Sequence, residues 1–245
     1  MAKKQEKISK EQLEKMLEKV PPAPVAGDSL EDWRKVAPYF ARNTMRGIIR
    51  AALELDGESR DMVLKEAGLA YCQSLLDTDG KKWKTEAMPE VANSGMIGVF
   101  KAMCKLKEED RAKLFKAMGD TCLNRFNDSY KAYKEAGIEF TPGAYDVDAA
   151  IMLIKSQLVC RQVHREGKTI FWDGKVGPQY GECTCCLVQG GVTEAVPEVC
   201  LCADYVMKQQ FELLTGIPME SERVRTFNDG STDSCVFRVY IKGDI

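Results

Sequence analysis

Cysteine is concentrated in roughly the last quarter of the chain. Six of the ten cysteines lie there, in a C-x-C-C motif, a C-x-C motif and one isolated position: Cys183, Cys185, Cys186, Cys200, Cys202 and Cys235. The chain has a single histidine, so thiols are the main soft ligands and nucleophiles available. Because thiolate both binds soft metals and attacks electrophiles, we expect the chemistry of this protein in that region.

One interpretation of the cluster is a metal centre. Thiolates from the three motifs could hold tetrahedral zinc or an iron–sulfur cluster, with Cys183, Cys185 and Cys186 as the candidate ligands. Structural zinc sites favour about two to four residues between paired cysteines, and these motifs have one or none. The alternative is that several of these cysteines are buried apolar residues, since free cysteine is among the most buried residue types.

A second interpretation is a nucleophilic thiol. Cys200 and Cys202 directly precede a predicted helix at 204–214, and the partial positive charge of a helix N-terminus lowers the pKa of a nearby thiol. Asp204 would orient the thiol or act as its base, and Cys235 should point inward from the last strand. For any single cysteine, an inert core thiol is the alternative.

Three further residues are candidates for substrate binding. Arg225 or Arg238 could hold a substrate carboxylate with two parallel hydrogen bonds. Trp172 could form a pocket wall, although a core position is the simpler role for a tryptophan. His164 is expected at the exposed C-terminal end of a helix, where a cation is favoured, rather than in catalysis. The common phosphate-binding and nucleophile-elbow motifs are absent from the sequence.

Composition argues against several classes of partner. The formal net charge of −2 gives no electrostatic reason to expect nucleic acid or an anionic membrane. The first residues lack the apolar region of a secretory signal, and no apolar run approaches the roughly 20 residues that span a bilayer. We therefore expect a cytoplasmic protein with reduced thiols, whose partner is a small-molecule substrate. The cysteine content also suggests anaerobic metabolism.

Charge and hydrophobic patterning divide the chain into three regions. Residues 1–27 form a charged extension with a proline-rich linker, 28–165 a helical region, and 166–245 a cysteine-rich α+β region. Helices are predicted at about 58–76, 90–105, 108–135, 146–165 and 204–214. The clearest is 146–165, where Val147, Ile151, Ile154 and Leu158 share one face.

Strand patterns begin after residue 165. Asp173-Gly174 predicts a hairpin turn between a strand at 169–172 and a strand that begins at Lys175. A second hairpin is predicted from strands at 219–227 and 234–241. The sequence therefore predicts an α+β fold: a helical N-terminal part, then a four-stranded antiparallel sheet with the 204–214 helix packed on it.

The C-terminal residues resemble a known family. Residues 200–205 (Cys-Leu-Cys-Ala-Asp-Tyr), 222–226 (Glu-Arg-Val-Arg-Thr) and 233–238 (Asp-Ser-Cys-Val-Phe-Arg) are similar to the end of the aminothiazoline-carboxylate hydrolase-like family. The same tail also resembles the cysteine-rich small-molecule-binding domain named after the vinyl reductase of bacteriochlorophyll synthesis. Both resemblances cover about residues 180–242.

The first resemblance implies hydrolytic opening of a small cyclic C–N compound to an N-carbamoyl amino acid. The second implies binding of a metal or a hydrophobic ligand. We therefore expect a cytoplasmic hydrolase with a cysteine-lined site. The alternative is a non-enzymatic metal-thiolate module that binds or senses a small molecule.

Overall fold

A computed structural model describes most of the chain. The described residues are 7–20, 45–68, 88–129, 131–139, 141–157, 161–175, 188, 196–229 and 234–243. Its helices are α1 (Lys10–Leu17), α2 (45–53), α3 (Gly57–Ala67), α4 (Met88–Lys105), α5 (Glu108–Ser129), α6 (Lys131–Glu135), α7 (Val147–Gln157) and α8 (Leu201–Thr215). Its strands are β1 (Arg161–Glu166), β2 (Thr169–Lys175), β3 (Met219–Arg225) and β4 (Ser234–Ile241). Short 3₁₀ helices cover Pro197–Cys200 and Phe227–Asp229.

Helices α2 to α5 share one hydrophobic cluster, called here the helical cluster. Its fully buried side chains include Ile48, Val63, Phe100 and Phe115. Helix α3 begins where the Asp56 side chain accepts a hydrogen bond from the backbone N–H of Ser59 at 2.9 Å, which satisfies one of the unpaired donors of the first turn. This cap fixes the residue at which α3 begins, and most of the remaining stability of the helix comes from packing.

The backbones of α3 and α4 approach each other at a glycine. A Cβ atom built at Gly98 in α4 would lie 1.9 Å from the backbone oxygen of Glu66 in α3. No side chain fits at that distance, so the contact requires glycine. The sequence shows this residue only as a glycine inside a helical pattern.

The second hydrophobic cluster, the sheet cluster, combines the sheet with α1, α7 and α8. Leu13 from α1, Ile154 from α7 and Phe211 from α8 pack in it with Ile170 and Phe237 from the strands. This packing places residues of the predicted N-terminal extension and of the predicted helical region against the sheet. The predicted domain boundaries themselves stay a prediction.

The four strands form one antiparallel sheet in the order β1-β2-β4-β3. Side chains alternate between an inner face on the sheet cluster and an outer face, as the two-residue period of a strand requires. In β4, Cys235, Phe237, Val239 and Ile241 are all buried on the inner face. The predicted α+β class, with a helical N-terminal part and a four-stranded antiparallel sheet, is confirmed.

The first hairpin lies one strand earlier than the sequence patterns predicted. Helix α7 ends at Gln157 instead of continuing to 165, and His164 lies within β1. The turn is formed by Gly167 and Lys168, and Gly167 has a φ of 56°, which glycine adopts without steric cost. Asp173 and Gly174, predicted to form the turn, lie inside β2 and pair with β1 and β4. The predicted return strand from Lys175 through Cys185 falls almost entirely outside the described residues.

Helix α8 lies between the two clusters. Tyr205 stacks on Phe115 of the helical cluster, with ring centroids 3.8 Å apart and planes 5° from parallel. Met207 and Phe211 point into the sheet cluster. The helix begins at Leu201, three residues earlier than predicted, and ends at Gly216, whose φ of 66° is the left-handed conformation common after a helix. Within the described chain, no helix has both the length and the apolarity to span a bilayer.

Replacing Gly98 by Ala is expected to destabilise the protein by about 3 kcal/mol, because the new methyl group would push α3 away from α4. Urea unfolding followed by circular dichroism measures the change. Gly57→Ala is the matched control, since its nearest described neighbour is the flexible Arg60 side chain at 3.8 Å. Equal stability of the two variants would contradict the close approach.

Candidate functional site

Cys200 and Asp204 lie at the beginning of α8. Cys200 is the junction between the 3₁₀ turn Pro197–Cys200 and the α-helix, with helical φ and ψ of −68° and −17°. Asp204 follows four residues later in the first turn, and residues four apart lie on one helix face. Both side chains are buried, at 8% and 9% exposure. A thiol and a carboxyl group therefore lie one helical turn apart on the same face of α8, both largely shielded from water.

Asn228 contacts the Cys200 sulfur. Its Nδ2 donates to Cys200 Sγ at 3.2 Å and to the backbone oxygen of Val196 at 3.1 Å. An amide donor interacts more strongly with a thiolate than with a thiol, whereas burial of the sulfur acts in the opposite direction. The short 3₁₀ helix Phe227–Asp229 brings Asn228 to this position from beyond the end of β3.

The Asp204 carboxyl group is unusual in its burial. Burial raises its pKa above the ordinary 3.8, and this outweighs the lowering by the hydrogen bond from Ser221 and by the charge of Arg223. Its Oδ1 atom is buried and has no hydrogen-bond partner among the described residues. A carboxyl group with a raised pKa keeps its proton to a higher pH than an exposed carboxyl group does, and perturbed groups of this kind are common among general acid–base catalysts.

A set of polar contacts links the inner side of β3 to the segment that precedes α8. Arg223 donates from Nη1 to the backbone oxygen of Pro197, and its Nε lies 3.7 Å from Asp229 Oδ2. Thr226, which is fully buried, donates to the same Asp229 oxygen at 2.7 Å. These contacts tie β3 and the turn after it to the segment before α8. Cys200 is thereby fixed relative to Asn228.

The other two predicted catalytic cysteines lie in different surroundings. Cys202 packs against the helical cluster, whereas Cys235 is a buried member of the sheet cluster on the other side of α8. The structure therefore places Cys200 and Asp204 on one helix face but does not place Cys202 and Cys235 in one common lining. Catalytic roles for Cys202 and Cys235 therefore stay predictions, since the two thiols do not lie in one site with Cys200.

The predicted substrate-binding residues also lie elsewhere. Arg238 is on the outer face, where it donates to Asp173 Oδ1 at 2.9 Å and covers the Phe171 ring at 4.4 Å. Arg225 pairs with Val236 after a register shift and so shares this outer face. Trp172 is 2% exposed and packs edge-on against Phe211, which is a core position. The arginine nearest Asp204 is instead Arg223.

The predicted metal ligands Cys183, Cys185 and Cys186 lie outside the described residues. Among the residues that the structure does describe, no group of three or more His, Cys, Asp or Glu side chains could hold a metal ion. Zinc or an iron–sulfur cluster therefore stays a prediction that depends on that segment.

Two residues of the site, Ser221 and Asn228, were missed in the sequence. Ser221 and Arg223 alternate in β3 with outward-facing residues, so strand periodicity could have placed both on the Asp204 side. Arg225 follows a one-residue register shift, which reverses the face that simple alternation assigns to it. Asn228 gave no signal beyond a turn residue, because its contact with Cys200 spans 28 positions.

Comparison of the chain with protein-family models, with curated proteins and with solved structures finds no match.

Replacing Asp204 by Asn is expected to stabilise the protein at pH 7 by about 1 kcal/mol, since Asn keeps the Ser221 contact and removes a buried charge. The sign follows from the raised pKa. The carboxyl group contributes its full stability below its ordinary pKa of 3.8 and loses this stability as pH rises through the folded pKa. The difference between the two proteins should therefore disappear in acid. Urea unfolding at a series of pH values measures it.

Asp148→Asn is the matched control with the opposite sign. The hydrogen bond from Arg165 lowers the pKa of Asp148, so its stabilisation is present at neutral pH and is lost as pH falls through the folded pKa. This variant should be slightly less stable at pH 7 and equal to wild type in acid. An Asp204→Asn protein that follows the same pattern as Asp148→Asn would refute the raised pKa.

Proposed function

We propose that this chain is a cysteine-dependent hydrolase that opens the ring of a small cyclic C–N compound. The observation that carries the proposal is the pairing of Cys200, its sulfur held by Asn228, with the buried Asp204 one helical turn later. A nucleophile beside a group that can take and return a proton is the arrangement that covalent hydrolysis requires. The residues of the C-terminal resemblance include both members of the pair.

The reaction would proceed through a thioester. The Asp204 carboxylate takes the thiol proton, and the Cys200 sulfur attacks the ring carbonyl carbon that is bonded to nitrogen, whose oxygen becomes negatively charged. The C–N bond breaks as Asp204 returns the proton to the leaving nitrogen, which stays attached to the opened product. Water then attacks the thioester, with Asp204 taking its proton and returning it to the sulfur, which releases a carboxylic acid and the original enzyme.

Asn228 and Arg223 would support the charge that develops during this reaction. Once the sulfur has bonded to carbon and no longer carries negative charge, the Asn228 N–H that contacted it would turn to the negatively charged oxygen formed on the attacked carbon. Arg223 is partly exposed and lies on the Asp204 side of β3, so it can neutralise a carboxylate on the substrate. We therefore propose Arg223 for the role that the sequence suggested for Arg225 or Arg238.

The proposed setting follows from the same chemistry. A nucleophilic thiol works in a reducing compartment, which agrees with the cytoplasmic location expected from the sequence. The proposed partner is a small organic substrate, without nucleic acid or membrane.

The non-enzymatic alternative depends on the cluster at Cys183, Cys185 and Cys186. Metal analysis of protein purified without oxygen tests it directly. Stoichiometric zinc or iron that disappears in a Cys183→Ser/Cys185→Ser protein would establish a metal-thiolate site. A metal-free protein in which Cys200 reacts faster than the other thiols would support the hydrolase.

Replacing Cys200 by Ser or Asp204 by Asn is expected to lower turnover at least about a thousandfold, because each removes a group that reacts in every cycle. The assay is mass-spectrometric detection of ring opening in a panel of cyclic amides, imides, ureas and thiazolines, each tested with and without a carboxylate. The proposal gives no step to Cys202 or Cys235, which lie in other surroundings, so Cys202→Ser and Cys235→Ala are the matched controls and should retain activity within about threefold. Wild-type turnover by Cys200→Ser protein would contradict the proposal.

Asn228→Asp tests the site without any known substrate. The change keeps the shape of the side chain but replaces the donor beside the Cys200 sulfur with an acceptor that carries a charge. We expect the rate of Cys200 alkylation by iodoacetamide at neutral pH to fall about tenfold, because the thiol pKa rises. Peptide mass spectrometry measures each cysteine separately, and the rates at Cys104 and Cys235 should not change. An unchanged Cys200 rate would show that Asn228 does not stabilise the thiolate.

A further inference from the structure

A groove separates α7 from strand β1 at the edge of the sheet opposite to β3. Its volume is about 510 Å³, within the range of small-molecule clefts, and it is open to solvent along one side. The α7 wall consists of Asp148, Ile151, Met152 and Lys155, whose spacing of three and four residues places them on one helix face. Lys10 from α1 lines another side.

The surface of this groove combines an apolar floor with a cationic rim. Ile151, Met152 and Val163 supply aliphatic and thioether surface. Lys10, Lys155 and Arg165 supply three cations, against the single carboxylate of Asp148. The surface is therefore complementary to a molecule with an apolar body and a negative charge.

Arg165 and Asp148 largely cancel each other. The guanidinium group donates to both carboxylate oxygens, at 3.0 Å and 2.7 Å, and this bidentate pair is the reason that the pKa of Asp148 is lowered. The two lysines remain. Neither Lys10 nor Lys155 forms an ion pair with any described residue, so their charge is available to a ligand.

We propose that this groove is a binding site for an amphipathic organic monoanion, a carboxylate carried on an aliphatic or aromatic body. The apolar body lies on Ile151, Met152 and Val163, and the carboxylate lies between Lys10 and Lys155. The site is independent of the proposed hydrolase site. β1 and β3 are opposite edges of the sheet, separated by two strands or about 14 Å.

His164 provides an NMR signal by which binding in this groove can be followed. It lies in the edge strand that borders the groove, between Val163 and Arg165, and its side chain is 52% exposed, with the ring stacked on Phe171 at 4.8 Å on the outer face of the sheet. It is also the only histidine of the chain. The imidazole resonances in an NMR spectrum therefore come from one residue at the border of the groove, and together with its backbone amide resonance they report binding without any enzymatic assay.

The experiment titrates the protein with decanoate and, separately, with 2-naphthoate, while the imidazole and backbone amide resonances of His164 are recorded. Saturable shifts are expected with one or both anions. A Lys10→Gln/Lys155→Gln protein should bind about tenfold more weakly, because it lacks both cations. The matched control is Lys65→Gln/Lys101→Gln, which removes the same charge from α3 and α4 and should bind like wild type. Both pairs are exposed, and urea unfolding confirms that each variant is folded.

A neutral probe and a small probe separate the contributions of the charge and of the apolar body. Decanol should bind more weakly than decanoate, and acetate should cause no saturable shift, since it lacks the apolar body. Saturation by one anion but not the other identifies the aliphatic or the aromatic class. Absence of saturable His164 shifts with both anions would overturn the proposal. Equal weakening in the two double-lysine variants, or equal affinity for decanol and decanoate, would also overturn it.

Discussion

The burial of α8 on two sides is the constraint on which the rest of the structure depends. One face of this helix stacks Tyr205 on Phe115, and another inserts Met207 and Phe211 beneath the sheet. Because close-packed interiors tolerate little displacement, the two clusters together fix the position and rotation of the helix. The first turn of α8 is then held against β3, and Asp204 stays buried there despite the cost of removing a carboxylate from water.

Much of the fold was predictable because its signals are local. The helical period, the glycine after α8 and the strand alternation of β4 each act over a few residues, and the structure agrees with them. The sequence patterns placed the first hairpin one strand too late, because Asp173-Gly174 has the composition of a tight turn. Both residues instead pair with neighbouring strands on two sides. Tertiary pairing overrode the local preference, which sequence periodicity does not measure.

The candidate site was predictable only in part, for the same physical reason. Cys200 and Asp204 share a helix face, so their proximity follows from a spacing of four residues. Their contact partners, Ser221 and Asn228, lie in β3 and in the 3₁₀ helix after it, which pack against α8 although they follow it in the chain. A single extra residue near Val224 then decides which arginine reaches the inner face. Such register changes leave no trace in composition or charge.

The attachment of the N-terminal segment has a consequence for the order of assembly. Lys7 donates to the backbone oxygen of Thr215 at 2.6 Å across 208 positions, and Ile8 forms a parallel bridge with Tyr145. A ribosome delivers this segment long before it delivers the end of α8 to which Lys7 is anchored. The Lys7 contact must therefore wait for the residues in between, and contacts of such separation slow folding. Attachment of α1 is accordingly completed only after the last turn of α8 has been synthesised, so the two elements are joined in time as well as in space.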